Sequence, residues 1–420
     1  MHVSKLAEHI IGSEIIKLAG EINEKIRQGH TIYNFTIGDF NPKQFPIPNE
    51  LKQYILEEYQ NDATNYPPGD GVVELRNAVS NLLKRDLGLT YANNEILIAG
   101  GARPIIYTIF RALVNPGDKV IFGTPSWNNN HYTYLNFAEQ VVTQASPEKN
   151  FMPDAADIAP HVKDASLLAL CSPQNPTGTV FTKEGLEAIC DLVVAENKRR
   201  GPNQKPLYVM YDQIYWALTY GVPHYDPVTL RPEMRDYTIY VDGISKSLAA
   251  TGVRVGWCMG PAYIVDKMKA ILTHVGAWAP KAEQLASARF LNNVVAYNAF
   301  VADQKQRIED RLNGIYNGLI ALKNKGYAVN AIAPQAAIYL TVQFSLHGKK
   351  TADGSVLATT KDITSYLLNH AQLAVVPFSA FGASENSDWY RLSVGTCSMD
   401  DIPKVLKSLE SALELLGDRE

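Results

Sequence analysis

Cysteine is scarce in this chain: four in 420 residues, at Cys171, Cys190, Cys258 and Cys397, and no two stand in a C-x-x-C pair. That spacing excludes a disulfide framework and a cysteine-built zinc site, predicts no metal centre, and fits a reducing, cytoplasmic setting. Long apolar runs are also missing. No stretch approaches the roughly 18 residues that a membrane span requires. The first twenty residues are amphipathic, carry Glu8 and Glu14, and lack the apolar core of a secretory leader. Charge of one sign is not in excess. A net charge of -4 makes no electrostatic case for nucleic acid or an anionic membrane as partner. There are no repeats and no low-complexity linker; the one loop-like insertion late in the chain is HGKKTADG, His347 to Gly354. What remains is ordinary globular composition, 46% hydrophobic and 20% charged, on a chain long enough for two domains or one large domain with an appendage.

The stretch Tyr240 to Trp257, YVDGISKSLAATGVRVGW, organises the rest. A β-branched, aromatic run from Tyr237 to Val241 ends in a small polar turn holding Ser245, Lys246 and Ser247. Arg254 follows, then a second apolar run from Val255 to Met259. A lysine at the C-terminal end of a buried strand is costly unless it is used, because the interior disfavours its charge. An amine of lowered pKa attacks an aldehyde, and a Schiff-base lysine is the natural use. The same residues also fit a solvated lysine in a surface turn.

Upstream, apolar periodicity predicts a helix over Ser13–Gln28, an extended run Tyr33–Asp39 with a bend at Gly38, and a Pro- and Gly-rich loop Asn65–Gly71 bearing Tyr66. A helix along Val72, Leu75, Ala78, Val79 and Leu82 comes next. From Asn94 a strand–helix rhythm begins. Short apolar runs end at Gly100-Gly101-Ala102-Arg103, at Thr124-Pro125-Ser126-Trp127, at Ser172 to Gly178 with Asn175, and at Asp212-Gln213-Ile214-Tyr215. Alternation of this kind implies a largely parallel sheet covered on both faces. Ligands of such sheets sit beyond the carboxyl ends of the strands. Gly101, Trp127, Asn175, Asp212, Tyr215, Ser245 and Lys246 all fall at that edge.

As a set these residues match the needs of pyridoxal 5'-phosphate. Lys246 offers the amine for its aldehyde. Asp212 offers a carboxylate that keeps the ring nitrogen protonated, so the ring can take up carbanion electrons. Tyr215 and Asn175 offer partners for the ring hydroxyl. The Gly101-Ala102-Arg103 turn at a helix start, Ser245 and Arg254 offer phosphate ligands. Trp127 can stack on the ring.

The motifs then carry a resemblance. NPTG at Asn175–Gly178, DxxY at Asp212–Tyr215 and SKSLAATGVRVGW at Ser245–Trp257 stand in order. YPPGDGVVELRNAV, GGARP, NPGD and YRLSVG at Tyr390–Gly395 join them. From about Ile32 to Leu416 the chain resembles the class I aminotransferases of the aspartate aminotransferase superfamily, fold type I of the pyridoxal phosphate enzymes. The resemblance implies a large α/β cofactor domain at 50–291 with a mostly parallel seven-stranded sheet flanked by helices. It implies a smaller α/β domain formed by 1–49 and 292–420, the two joined by a long helix near Asn292–Lys323. It implies a homodimer in which Tyr66 reaches the cofactor phosphate of the neighbouring subunit. Arg391 would hold the substrate α-carboxylate in a two-pronged salt bridge, with Gly38 and Asn175 helping. The implied reaction is ping-pong transamination between an L-amino acid and a 2-oxo acid, Lys246 acting as the base that moves the α-proton.

Substrate choice turns on Arg103. The family often has glutamine or lysine at this position, and in the bacterial aspartate aminotransferases most alike in this stretch a lysine there holds the distal carboxylate. Arg103 in that role favours aspartate, glutamate or another dicarboxylic amino acid. The alternative is an Arg103 turned to solvent or paired with a nearby acid, and an enzyme for aromatic or apolar amino acids. The SWNNNHYTY run, Ser126–Tyr134, departs from the usual pattern and leaves His131 either beside Asp212 or at the rim. The cofactor motifs are shared with C–S β-lyases and aminocyclopropane carboxylate synthases, so a lyase is the other enzymatic reading. A cofactor-sensing transcription regulator on this fold is disfavoured, because such proteins carry a basic DNA-binding domain before the fold and only about 48 residues precede it here.

Overall fold

The computed structural model describes residues 3–10 and 14–417. Seven strands form the main sheet: β1 (Ile96–Ala99), β2 (Lys119–Thr124), β3 (Glu139–Gln144), β4 (Ala165–Cys171), β5 (Tyr208–Asp212), β6 (Thr238–Gly243) and β7 (Gly256–Met259). Their order is β1-β7-β6-β5-β4-β2-β3. The pairs among β2 to β6 are parallel. Only β7 runs against both its neighbours, β1 and β6. The reversal matters for the site: β7 starts at the edge where the other strands end, so Arg254, just before it, stands beside Lys246.

Both faces of the sheet are covered. Ile96, Ile98, Leu168, Val209, Tyr211 and Tyr240 enter one core, whereas Leu97, Ala99, Ala169, Met210, Ile239 and Val241 enter another. Strands buried on both sides read as unbroken apolar runs, which is why they were legible. β3 was not foreseen. Its sequence, EQVVTQ, is a mostly exposed strand at the end of the sheet with no such run. Helices α1 (Val73–Leu87), α3 (Lys183–Arg200) and α5 (Lys281–Asn292) pack on the first face; α2 (Ala102–Leu113) and α4 (Ala262–Val275) pack on the second. On α1 the buried residues are Leu75, Ala78, Val79, Leu82 and Leu83, a helical stripe, and the helix ends at Gly88 in the left-handed conformation.

Helix α6 (Val294–Asn324) is 31 residues long and leads to a second, antiparallel sheet. That sheet contains β8 (Val329–Ala331), β9 (Tyr339–Phe344), β10 (Val376–Pro377) and β11 (Trp389–Ser393), in the order β10-β11-β9-β8. A separate core of Ile308, Leu312, Ile338, Leu340, Val342 and Leu392 lies beneath it. The N-terminal helix expected over Ser13–Gln28 spans Glu14–Arg27; Ser13 lies outside the described residues, as do the side chains of Ile15 and Ile16. The extended run Tyr33–Asp39 is a strand only at Tyr33–Asn34, paired with Leu373–Ala374. The rest turns into the cavity between the sheets. No helix among the described residues is long and apolar enough to cross a membrane.

Candidate active site

A cavity of about 470 Å3 opens at the carboxyl edge of the main sheet, bounded on its far side by β9 and β11. Of the residues singled out in the sequence, Gly38, Ala102, Arg103, Trp127, Asn175, Asp212, Tyr215, Ser245, Lys246, Arg254 and Arg391 line it. Gly101 stands directly behind Arg254. Tyr66 does not enter: the residue is 81% exposed, and its ring packs edge-on against Trp278 at 5.4 Å between centroids.

Lys246 sits in a single helical turn, Ile244–Ser247, that follows β6. Glycines allow the strand ends to close up beneath it. A Cβ on Gly243 would lie 2.8 Å from Gly256, and one on Gly256 would lie 2.5 Å from Gly101. The Lys246 amine donates to the Gly38 carbonyl at 2.7 Å. Burial pulls its pKa down to about 8, Arg391 and Arg103 act in the same direction, and Asp39 and Asp212 oppose them. Such an amine is partly unprotonated near neutrality, as a nucleophile or base requires.

Asp212 ends β5 and is buried. It accepts the Ile214 N–H at 3.1 Å. Burial raises its pKa to about 6, against the Ile214 hydrogen bond and the Lys246 charge. A carboxyl group held at about 6 when folded, against the usual 3.8, costs stability once ionised. That cost is full above pH 6 and vanishes below pH 4. In cofactor-free protein, Asp212→Asn should therefore be more stable than the parent by about 2–3 kcal/mol at pH 8, with the gap closing as pH falls from 6 to 4. Denaturant melts across pH read this directly; a gap that ignores pH would remove the buried-charge explanation.

Arg391 lies on β11 and is 2% exposed. Its guanidinium donates to the Thr36 carbonyl at 2.6 Å and to Asn175 Oδ1 at 3.1 Å. Its Nε–H is buried without a partner, and no carboxylate pairs with it among the described residues. Burial lowers its pKa. A buried guanidinium with an unspent donor could receive an anion. At the other end of the cavity, Gly101 caps the start of α2 with φ +94°, and a Cβ there would lie 2.4 Å from the Arg254 guanidinium. Arg254 donates to the Gly100 and Thr251 carbonyls at 2.8 and 2.7 Å. A free helix start, Arg254 and Ser245 together could hold a second anion.

Arg103 is exposed and pairs with no acid among the described residues. Its guanidinium lies 4.9 Å from the centre of the Trp127 ring. His131 does not line the space behind Asp212; Asn129 does, donating to Ser126 Oγ at 2.8 Å. Two contributors escaped the sequence reading. Asp39 accepts from Thr251 Oγ1 at 2.6 Å, and Tyr339 meets the Tyr215 hydroxyl at 2.6 Å. Asp39 closes the extended run Tyr33–Asp39 and Tyr339 stands in a buried strand, so neither carries a local signal.

The mixed sheet carries at its edge a cavity lined by a lysine of lowered basicity, a buried aspartate and two arginine-bearing ends, parts that could serve an α/β enzyme working through an amine. Residues 30–409 match the family model described as aminotransferase class I and II, and the chain belongs to that family. It is 30% identical over 384 residues to an aspartate aminotransferase of Bacillus sp. (strain YM-2), covering 88% of this chain and 90% of that one. It is 29% identical to the aspartate/prephenate aminotransferase of Thermus thermophilus over 99% of each. Among solved structures, the Rhizobium meliloti aspartate aminotransferase superposes with a TM-score of 0.89 at 25% identity, covering 99% of this chain and 100% of that one. The Thermus thermophilus aspartate aminotransferase with maleate gives 0.86 at 26% identity, covering 98% and 100%. The expected enzyme class, transaminase, and the α/β fold are those of these relatives.

Proposed function

We propose that this aminotransferase passes an amino group between a dicarboxylic L-amino acid and a 2-oxo acid, using pyridoxal 5'-phosphate carried on Lys246. The observation that carries the reading is one cavity holding the Lys246 amine, with its pKa near 8, together with a buried Arg391 that has no acid partner among the described residues. The donor set fits the cofactor. The α2 start with Gly101, Ala102 and Arg103, Ser245, Arg254 and the neighbouring subunit's copy of Tyr66 would take its phosphate. Trp127 would cover its ring, Asn175 and Tyr215 would bond its hydroxyl, and Asp212 would face its nitrogen. When bound, the cofactor supplies an electron-withdrawing ring that stabilises negative charge at the substrate α-carbon.

This chain's own residues do the rest. Arg391, with Asn175 and Gly38, holds the α-carboxylate and so fixes the α-carbon–hydrogen bond in one direction. The Lys246 amine takes the α-proton and returns it elsewhere, which a pKa near 8 allows at both ends of the transfer. Asp212, ionised above about pH 6, keeps a positive charge on a facing ring nitrogen. A division at 50–291 against 1–49 with 292–420 is supported by the two sheets having different main cores, although Ile214, Tyr215, Leu218, Tyr220 and Ala249 join the core of the second sheet and Tyr297 that of the first. A homodimer accords with the outward ring of Tyr66.

The dicarboxylate preference rests on Arg103, a cation at the cavity wall with no acid partner among the described residues. The Thermus thermophilus relative was solved with maleate, itself a dicarboxylate. Half-reactions with single amino acids test the reading. Aspartate and glutamate should exhaust the visible absorbance of the loaded enzyme, and Arg103→Gln should slow them by about 10- to 100-fold, the worth of a hydrogen bond between charged groups, while sparing alanine. Equal rates in both enzymes with both substrates remove Arg103 from specificity. Release of pyruvate and ammonia in place of amino transfer makes the protein a lyase.

A further inference from the structure

We propose that Tyr339 is a positioning residue that ties the carboxylate-binding Arg391 to the Tyr215 hydroxyl, so that one side chain orients both. The inference rests on the reading of Tyr215 as a cofactor ligand. Tyr339 is 2% exposed, at the start of β9 in the second sheet, whereas Tyr215 follows the end of β5 in the main sheet. Their hydroxyls are 2.6 Å apart, and their rings cross at 70° with centroids 5.5 Å apart. The Arg391 guanidinium lies 4.8 Å from the centre of the Tyr339 ring. Register explains the closeness, because Tyr339 pairs with Ser393 and Thr341 with Arg391 on adjacent antiparallel strands. Gly38 leaves the space: a Cβ there would lie 2.8 Å from the Tyr339 hydroxyl and 3.5 Å from Arg391. Among the described residues neither tyrosine hydroxyl has another hydrogen-bond partner.

A phenol has one proton. If Tyr215 gives its proton to the ring hydroxyl oxygen of the cofactor, Tyr215 can only accept from Tyr339. The Tyr339 O–H then polarises Tyr215 and makes it a stronger donor. Burial raises the Tyr339 pKa, and the guanidinium 4.8 Å from the centre of its ring opposes that rise, which favours the same polarisation. Tyr339 thus joins a substrate-binding cation on one sheet to a cofactor-binding hydroxyl on the other.

The test is a pH titration of the visible absorbance of loaded enzyme for the parent, Tyr339→Phe, Tyr215→Phe and the double variant. Circular dichroism serves as a check on folding. Tyr339→Phe keeps the ring under Arg391 and deletes only the hydroxyl. The midpoint should rise by about 0.5–1 pH unit, the worth of one hydrogen bond, and the same substitution made on Tyr215→Phe should shift nothing further. In cofactor-free protein, denaturant melts of the same four chains should show the two hydroxyls coupled rather than additive. An unchanged midpoint in Tyr339→Phe, or an equal shift with and without the Tyr215 hydroxyl, overturns the proposal. A parent protein that takes up no cofactor at all overturns the underlying reading with it, which keeps the two failures distinct.

Discussion

Lys246→Ala should abolish transamination, with turnover lowered by about 10^4-fold or more, because one side chain supplies both the covalent anchor and the proton-transferring base. The argument begins with position. Lys246 is raised into the cavity by a one-turn helix at the end of β6, and its amine is held by the Gly38 carbonyl at 2.7 Å. Burial and two nearby arginines bring its pKa to about 8. An ordinary exposed lysine near 10.4 presents its free amine about a hundredfold less often at neutral pH. Borohydride treatment of loaded parent enzyme should fix the cofactor to the peptide that contains Lys246, and mass spectrometry should find no label in Lys246→Ala. Label on another lysine, or turnover within tenfold of the parent, would falsify the assignment.

The second large effect is expected at Arg391, and it separates function from stability. Arg391→Leu should lower kcat/KM for every amino acid by roughly a thousandfold, as the loss of a buried, hydrogen-bonded charge pair does. It acts on all substrates because the α-carboxylate is common to all. Arg391→Leu should nonetheless leave cofactor-free protein within about 1 kcal/mol of the parent, or stabilise it, since a buried cation without an acid partner is itself a cost. The substitution forfeits hydrogen bonds to the Thr36 carbonyl and Asn175 but also removes an unsatisfied Nε–H. Kinetics across several amino acids, paired with denaturant melts, decide it. A large loss of stability would make Arg391 a structural residue; a loss confined to one amino acid would make it a reader of side chains.

Much of this site was legible before any fold was known, and the reason is the sheet. Strands covered on both faces announce themselves as apolar runs, and the residues at their carboxyl ends must converge. Gly101, Trp127, Asn175, Asp212, Ser245 and Lys246 were therefore readable as one edge. Arg391 was legible only through the YRLSVG resemblance, because nothing in a buried strand residue 145 positions after Lys246 says that the two meet. Tyr339 and Asp39 were not legible at all. Each reaches the cavity by facing an element from another part of the chain: Tyr339 across to Tyr215, and Asp39 across to Thr251.

Local sequence thus determined which residue types stand at each strand end, the α/β class, and the chemistry of an amine facing a carboxylate. Those properties follow from periodicity, turn composition and side-chain pKa, all short-range. Tertiary structure alone decided three things. The reversal of β7 brings Arg254 to the lysine. The second sheet seats Arg391 where no acid among the described residues pairs with it. The burial brings Lys246 to about 8 and Asp212 to about 6. Each depends on which distant segments pack together and exclude water, and desolvation is a property of the assembled neighbourhood rather than of any stretch of chain.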